Sequence, residues 1–285
     1  AQTYQNWEII LWDNASMDSS GAIAKSYEDT RLRYCRCDVN TPLGAARNAA
    51  LAEARGEFVA FLDTDDIWFP AKLSEQVAYF ESRPEIDFVY TNLIHIGAGS
   101  KAKLFGRTRS FLVPQPTGRV FKRFLKRYPI NLLTVMIRHS ALKEMGGCFD
   151  STLQVTEDLD LFMRFVHDRP VGYLHRVLAA YRLHSGQDSM TKIGLYASEA
   201  EYILNKLQRC FPESKESCKS EYEYFGAKIS YYHARAALRQ GDRAKARQLL
   251  HQFRWLDLRF GLLNLFLYMP GRAFFWLHEL TGRYH

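Results

Sequence analysis

Apolar runs and amphipathic stretches alternate along the first part of the chain. Short runs rich in apolar residues predict four strands, over Trp7–Trp12, Leu32–Cys37, Phe58–Leu62 and Asp87–Ile96. Between them, helical spacing and the residues that start and stop helices predict three helices, over Ala22–Glu28, Pro42–Gly56 and Ala71–Ser82. Strands separated by helices of this length indicate an α/β fold, with a Rossmann-like, mostly parallel sheet covered by helices on both faces.

The middle of the chain has a less regular pattern. It predicts a strand over Leu133–Ile137, a short helix over His139–Met145, a longer helix that begins at Thr156, and one or two strands within Val171–His184. Near Leu195 the pattern changes, and helical spacing continues from there towards the C-terminus. We therefore predict two parts, an α/β domain over residues 1–194 and a helical C-terminal extension over residues 195–285.

Composition and charge narrow the choice of partners. The 285 residues carry a net charge of +7, which favours an anionic partner such as a phosphate-bearing molecule, an acidic lipid or a nucleic acid. No Lys/Arg stripe interleaved with aromatic residues runs along one element, so nucleic acid is not expected as a partner. The five cysteines match neither a disulfide framework nor a zinc ribbon, which favours reduced thiols in a cytosolic protein.

The last segment, residues 258–285, mixes Phe, Leu and Trp with Arg259, Arg272 and Arg283. Two interpretations stay open for it. It is either a helix that packs on the rest of the protein, or an interfacial helix that lies on an anionic membrane together with the basic cluster Phe121–Tyr128. No apolar run reaches the roughly 18 to 20 residues that a membrane span needs.

Three carboxylates follow directly after the third predicted strand. Asp63, Asp65 and Asp66 stand in the stretch FLDTDD, at the kind of strand end where an open parallel sheet binds its ligands. Clustered carboxylates repel one another unless a cation or hydrogen-bond donors compensate them. One interpretation is a site for Mg²⁺ or Mn²⁺ and a phosphate. The other is a turn in which Asp65 or Asp66 caps the next helix.

A second acidic cluster stands at the start of a predicted helix. Glu157, Asp158 and Asp160 follow Thr156, and a helix start prefers acids in its first turn. Capping is therefore the simpler interpretation of this cluster. The alternative is a general base held at the N-terminus of the helix.

Two further groups of polar residues accompany the acidic clusters. Asp13 ends the first strand, and Arg47 stands near the start of the helix that follows NTPLG. Further along the chain, Arg182 and His184 alternate with apolar residues, so they share one face if this stretch is a strand. Each also has an ordinary structural interpretation, a turn for Asp13 and a structural histidine for His184.

Taken together and in this order, four stretches resemble the family 2 glycosyltransferases with a GT-A fold. They are QTYQNWEIILWDNASMDSS, NTPLGAARNAALAEARGEFVAFLDTDDIWFPAKL, GGCFDSTLQVTEDLDLFMRF and YRLHSGQDS, and they cover residues 1 to about 190. The resemblance implies a metal-dependent enzyme that moves a sugar from a nucleotide-diphosphate donor to an acceptor hydroxyl, with inversion of the anomeric carbon. It also implies a role in the synthesis of cell-surface polysaccharide or glycolipid.

The resemblance further implies a role for each matching residue. The residues implied to bind the donor are Asp13, Arg47, Asp63, Arg182 and His184. Asp65 would be the direct ligand of Mg²⁺ or Mn²⁺, with Asp63 on the ribose or in the metal shell. Asp158 would be the general base that deprotonates the acceptor, and Glu157 would orient that base or bind the acceptor.

The start of the chain departs from the family pattern. Family members begin with a strand and a helix that precede a Q-x-Y-x-x-x-E segment, whereas this sequence begins at that segment. We therefore expect an N-terminally truncated domain whose sheet has a gap or an exposed edge. Donor binding would then be impaired, so a catalytically impaired fragment or scaffold is one alternative function.

A D-x-D phosphotransferase of the haloacid dehalogenase type is a second alternative. Such enzymes place D-x-D after the first strand, whereas two predicted strands precede it here. The preferred interpretation places the protein in the cytoplasm or at the cytoplasmic face of the inner membrane. Its partners would be a nucleotide-diphosphate sugar, a saccharide or lipid-linked acceptor and, peripherally, an anionic membrane.

Overall fold

Two compact units, Ala1–Gln187 and Asp188–His285, make up the chain. The computed structural model describes residues 1–97, 108–109, 111–146, 149–184, 191–256 and 260–262. The division between the units falls shortly before the boundary predicted at 194/195. The last segment of the chain, for which an interfacial helix is one interpretation, lies almost entirely outside the described residues.

The first unit alternates strands and helices, as the hydrophobic pattern predicts. Its strands are β1 (Ile9–Asp13), β2 (Leu32–Arg36), β3 (Phe58–Ala60), β4 (Ile67–Trp68), β5 (Phe88–Gly97), β6 (Thr108–Arg109), β7 (Met136–Arg138) and β8 (Val171–Leu183). Its helices are α1 (Ser20–Lys25), α2 (Leu43–Glu53), α3 (Lys72–Ser82), α4 (Phe121–Lys126), α5 (His139–Glu144) and α6 (Glu157–Asp168).

The strands of the first unit form two sheets. β1 and β2 pair in parallel, which sets Asp13 opposite Arg36. The other strands form a six-stranded sheet of order β3-β7-β5-β8-β4, with β6 added to β5. Within the described parts of the chain no pairing joins the two sheets. There, β1 pairs only with β2, and β3 pairs only with β7. Among the described strands the two sheets are therefore separate.

The large sheet is mixed, and its longest pairing, between β5 and β8, is parallel. The antiparallel pairs are β3–β7, β4–β8, β5–β6 and β5–β7. The strands β4, β6 and β7 have only two or three residues each, which is too short to show in a hydrophobic alternation. The α/β class itself is confirmed.

The stretch predicted as a strand over Leu133–Ile137 begins instead as a 3₁₀ turn, Leu132–Thr134. Asn131 holds this turn. Its side chain accepts a hydrogen bond from the Leu133 amide at 3.0 Å, and its carbonyl accepts one from the Thr134 hydroxyl at 2.7 Å. A short side chain that bonds to the nearby backbone competes with strand pairing. The strand therefore starts only at Met136.

Helices cover both faces of the large sheet. On one face, Phe88 of β5 packs against Phe162 and Phe165 of α6, with ring centroids 5.2 and 5.3 Å apart. The neighbouring Val89 points to the other face, where it joins a buried cluster with Phe80 of α3. Burial of each such aromatic ring contributes about 1.5 to 3 kcal/mol. These contacts fix both helices, and with them the residues at their N-terminal ends.

The described part of the second unit, residues 191–256 and 260–262, is mainly helical, as predicted. Its helices are α7 (Ile193–Cys210), α8 (Pro212–Ser217), α9 (Lys219–Arg239) and α10 (Arg243–His251). The turn between α9 and α10 uses Gly241 at φ +83°, which only glycine adopts readily. The Asp242 side chain then accepts from the Lys245 amide at 2.9 Å and caps α10. Among the described residues, no helix is both long enough and apolar enough to cross a bilayer.

Candidate active site

Asp13 ends β1 with its side chain almost fully buried. One carboxylate oxygen accepts from the Tyr34 hydroxyl at 2.5 Å, and the other accepts from the Ser16 amide at 2.7 Å. These hydrogen bonds, with a contribution from Arg36, lower the pKa of Asp13 to about 2. Asp13 is therefore ionised, and its orientation is fixed before any ligand arrives.

Sequence reasoning missed Tyr34. The register of the two strands pairs Leu11 with Tyr34 and Asp13 with Arg36. Because alternate residues of a strand share a face, Tyr34 and Arg36 lie on the face that Asp13 occupies. The alternation of β2 could therefore have indicated the pair Asp13–Tyr34, once β1 and β2 were taken as neighbours.

Helix α2 docks its N-terminal end against the segment that precedes α6. A Cβ atom on Gly44 would run into the carbonyl oxygen of Asp150, so glycine is required for this approach. The Asn48 side chain donates to the Phe149 carbonyl and accepts from the Phe149 amide, both at 2.8 Å. This docking sets Arg47 between the two acidic clusters.

Arg47 joins the two acidic clusters directly. Its guanidinium forms an ion pair with Asp63 at 2.8 Å and a second, close ion pair with Glu157. The side chain of Arg47 is 13% exposed, and that of Glu157 is 3% exposed. The sequence predicts a donor contact for Arg47, and this prediction stays untested. The carboxylate partners of Arg47 could not be read from the sequence.

The loop after β3 is tied to the end of β8. The Arg182 amide donates to the carboxylate of Asp66 at 2.8 Å, and the Arg182 side chain donates to the Asp65 carbonyl at 2.8 Å. The His184 ring nitrogen Nε2 lies 2.9 Å from the carboxylate of Asp65. The two stretches predicted to form one site, FLDTDD and YRLH, are therefore in direct contact.

Capping of α3 by the acidic loop is not observed. The residue before the first turn of α3 is Ala71, and no side chain makes a capping hydrogen bond there. The Asp66 carboxylate is used by Arg182 instead. Burial raises the pKa of Asp66 to about 7. The capping interpretation of Asp65 and Asp66 is therefore wrong.

The second acidic cluster occupies the first turn of α6. The residue at the N-cap position is Thr156, whose side chain makes no capping hydrogen bond. Asp158 is half-buried and accepts from the Leu159 amide at 2.7 Å. Burial raises the pKa of Asp158, while the positive charge of Arg47 opposes that rise. A carboxylate whose pKa is raised has the property that a general base needs.

A divalent ion would find a partial ligand set here. Within the described residues, no three His, Cys, Asp or Glu side chains are grouped to hold a metal. Asp65 and His184 nevertheless present one carboxylate and one imidazole 2.9 Å apart, both about two-fifths exposed. Mg²⁺ and Mn²⁺ commonly take one or two protein ligands and complete their shells with phosphate and water. The residues therefore fit an ion that is shared with a diphosphate.

The chain is similar in sequence to known glycosyltransferases. The model of Glycosyl transferase family 2 matches residues 1–145. The chain is 30% identical over 216 residues to the UDP-Glc:alpha-D-GlcNAc-diphosphoundecaprenol beta-1,3-glucosyltransferase WfgD of Escherichia coli, which covers 74% of this chain and 80% of that protein. It is also 30% identical over 230 residues to the succinoglycan biosynthesis protein ExoU of Rhizobium meliloti, which covers 71% of this chain and 66% of that protein.

Solved structures confirm the GT-A fold. S. aureus TarS (residues 1–349), crystallised in complex with UDP, superposes with a TM-score of 0.54 at 19% identity, over 90% of this chain and 85% of that one. The mannosyltransferase PcManGT from Pyrobaculum calidifontis, in complex with GDP-Man and Mn²⁺, gives a TM-score of 0.56 at 15% identity. That match covers 95% of this chain and 75% of the other.

Proposed function

Because the chain belongs to glycosyl transferase family 2, we propose that it transfers a sugar from a nucleotide-diphosphate donor to an acceptor hydroxyl, with inversion of the anomeric carbon. The family membership sets aside the phosphotransferase of the haloacid dehalogenase type. The acceptor proposed is a saccharide or a lipid-linked saccharide of a cell-surface polysaccharide or glycolipid. WfgD, to which the chain is similar, is named for a diphosphoundecaprenol acceptor.

One observation carries the proposal: Arg47 holds Asp63 of the D-x-D loop and Glu157 of α6 at the same guanidinium. The two acidic clusters therefore lie on either side of one cation. A transferase needs a donor-binding group and a proton acceptor at adjacent positions, because the acceptor oxygen must reach the anomeric carbon. The ion pairs of Arg47 support this placement.

The reaction assigns separate tasks to the two clusters. Asp158 takes the proton of the acceptor hydroxyl while that oxygen forms a bond to the anomeric carbon. The bond from the anomeric carbon to the diphosphate oxygen breaks, and the nucleoside diphosphate leaves with the electron pair. Because attack and departure occur on opposite faces in one displacement, the anomeric carbon inverts, as in inverting glycoside hydrolysis.

The donor is bound by residues at three strand ends. Asp13 accepts from a base N–H, and Arg182 and His184 lie where they can bind the diphosphate oxygens. Asp65, with Asp63 or His184, would hold Mg²⁺ or Mn²⁺, which when bound offsets negative charge on the diphosphate. Arg182 also fixes the loop through its bonds to Asp65 and Asp66, so the carboxylates keep their positions.

The substitution Asp158→Asn separates chemistry from binding. It should lower turnover of the preferred nucleotide sugar by about 10²- to 10⁴-fold, because the general base is lost. The variant should still be stabilised against thermal unfolding by the matching nucleoside diphosphate with Mn²⁺. Asp168→Asn, an exposed acid on the same helix, is the matched control and should keep full activity. Lower stability with normal turnover in Asp158→Asn would restore the capping interpretation.

The substitution Asp65→Ala addresses the metal. It should abolish the Mn²⁺-dependent part of the stabilisation by UDP or GDP, whereas Asp38→Ala, an exposed acid outside the site, should leave it unchanged. A panel of nucleoside diphosphates measured with and without Mn²⁺ is the broader test. If none of them stabilises the protein in the presence of metal, the proposed function is wrong.

The location proposed is the cytoplasm, at the inner face of the membrane, where a lipid-linked acceptor is found. For the last segment of the chain, the membrane interpretation predicts that full-length protein binds anionic vesicles better than protein that ends at Trp255. Flotation of both forms with the same vesicles measures this. Equal binding by both forms would assign any membrane contact to another part of the protein.

A further inference from the structure

A cationic surface lies on helix α4 and the turn before it. Residues 119–127 hold five cations and no acidic residue, and the cations are Arg119, Lys122, Arg123, Lys126 and Arg127. All five are exposed, whereas Phe121, Phe124 and Leu125 are buried. The helix therefore turns its apolar side towards the protein and its positive charge towards the solvent.

Two neighbouring aliphatic side chains protrude from the segment that precedes this helix. Leu112 is 86% exposed and Val113 is 64% exposed. The backbone beside them is held firmly, because the Asn92 side chain bonds to both the amide and the carbonyl of Phe111, at 3.1 and 2.7 Å. The two aliphatic side chains are thus presented by an anchored segment.

Both features lie over one pair of aromatic rings. Tyr90 of β5 and Tyr173 of β8 have ring centroids 4.9 Å apart. Phe124 of α4 packs edge-on against Tyr90, at 6.1 Å, and Phe111 packs edge-on against Tyr173, at 6.4 Å. The Tyr90 hydroxyl also donates to the Pro116 carbonyl at 3.1 Å. The protruding aliphatic pair and the cations therefore belong to one surface of the first unit.

We propose that this surface, formed by Leu112, Val113 and the cations of residues 119–127, binds an anionic lipid membrane. Each Lys or Arg close to an anionic bilayer strengthens binding about fivefold. Aliphatic side chains beside such cations enter the boundary between headgroups and acyl chains. An acidic protein would match the charge, but it would also need an apolar pocket placed for Leu112 and Val113, whereas a bilayer offers apolar depth beside anionic headgroups everywhere.

At its Phe111 end the surface reaches Asn92 in the middle of β5, and its cationic end lies beside the start of β8, where Gly118 pairs with Val171. Phe111 is held at Asn92, and β5 continues from there in parallel with β8 until Ile96 lies opposite Arg182. The benefit of membrane binding rests on the proposed function, because an enzyme bound to the membrane can reach a lipid-linked acceptor there. Membrane binding and donor binding can nevertheless be measured independently.

The experiment compares two double charge reversals of the full-length protein. Arg123→Glu with Arg127→Glu alters the surface, and Arg55→Glu with Lys143→Glu alters exposed cations elsewhere on the same unit. Both pairs lower the net charge by four. Vesicles of phosphatidylglycerol and of phosphatidylcholine are the probes, and the thermal shift induced by UDP or GDP with Mn²⁺ reports the fold and the donor site.

Wild-type protein should sediment with phosphatidylglycerol vesicles and not with phosphatidylcholine. The reversal at positions 123 and 127 should weaken binding by at least about 25-fold, and the control pair should change it by less than about threefold. Leu112→Asn with Val113→Asn should weaken it by about tenfold. The proposal would be overturned if both double charge reversals weakened vesicle binding equally. It would also be overturned if wild-type protein bound phosphatidylglycerol and phosphatidylcholine vesicles equally. Absence of a thermal shift in wild-type protein with every nucleoside diphosphate of the panel would instead refute the proposed function.

Discussion

Lys72 is enclosed in the core of the first unit, and its replacement by methionine gives a quantitative test of the structure. The side chain is 0% exposed. Its ammonium donates to Gln76 at 2.5 Å and lies 4.2 Å from the centre of the Trp68 ring. Burial lowers the pKa of Lys72 from 10.5 to about 7, because the charged form loses its hydration.

The sign of the pH dependence follows from the two pKa values. In the unfolded chain Lys72 keeps its proton up to about pH 10.4, whereas in the folded protein it loses the proton near pH 7. Between these values the unfolded chain binds one more proton, so the free energy of unfolding rises with pH. The rise is about 1.4 kcal/mol per pH unit, or roughly 2 to 3 kcal/mol between pH 7 and pH 9. Below pH 7 both states hold the proton and the dependence ends.

The substitution Lys72→Met removes this titration and keeps a side chain of similar length. The free energy of unfolding can be measured at several pH values by urea titrations followed by far-UV circular dichroism. The increase of roughly 2 to 3 kcal/mol between pH 7 and pH 9 should be absent from this variant. Loss of the Gln76 hydrogen bond costs about 1 to 3 kcal/mol at every pH, so it leaves the slope unchanged.

Lys143→Met is the matched control, since Lys143 is exposed on α5 of the same unit. Its pH dependence should follow that of the wild type. If Lys72→Met also runs parallel to the wild type between pH 7 and pH 9, then Lys72 binds its proton equally in both states. The reasoning from burial would then be refuted.

Two further substitutions probe contacts within the site. Gly44→Ala should destabilise the protein by about 1 to 3 kcal/mol in thermal unfolding, because its Cβ meets the Asp150 carbonyl oxygen. Gly226→Ala, where the nearest atom is 3.9 Å away, is the control, and equal stability of the two variants would contradict the close approach. Tyr34→Phe removes the 2.5 Å hydrogen bond to Asp13 and should raise the donor KM about 5- to 30-fold while kcat changes little. A fall in kcat at unchanged KM would place Tyr34 outside the donor site.

The parts of the fold that the sequence predicts are those whose side chains repeat with a clear period. The strand predicted over Asp87–Ile96 and the helix predicted over Ala71–Ser82 lie within one residue of β5 and α3, because alternation and helical spacing extend over about ten residues in each. β4 has two residues and no period of its own, so it was hidden in the stretch DDIWFP. Its place depends on β8, which lies more than a hundred residues further along the chain.

The candidate site, too, is only partly predictable from the sequence. Residue types and order were enough to select Asp65 and His184 as members of one site, and the two side chains are in contact. The partners of Arg47 could not be predicted, because a cation can pair with any carboxylate that the fold brings near. Arg47 pairs with Asp63 and Glu157 because α2 docks where it does. That docking depends on contacts with the backbone of Phe149 and Asp150, which have no sequence signature.

The ties between the acidic loop and β8 also determine when this loop can become ordered during synthesis. Asp66 and the Arg182 amide are 116 residues apart in the chain. At the usual rate of translation, roughly 6 to 23 s pass between the synthesis of the two. Contacts between residues so far apart in sequence form slowly, because a long loop must close first. The acidic loop is therefore synthesised well before its native hydrogen-bond donors on β8. In pulse-labelled hydrogen exchange during refolding, the Arg182 amide should be among the last to become protected.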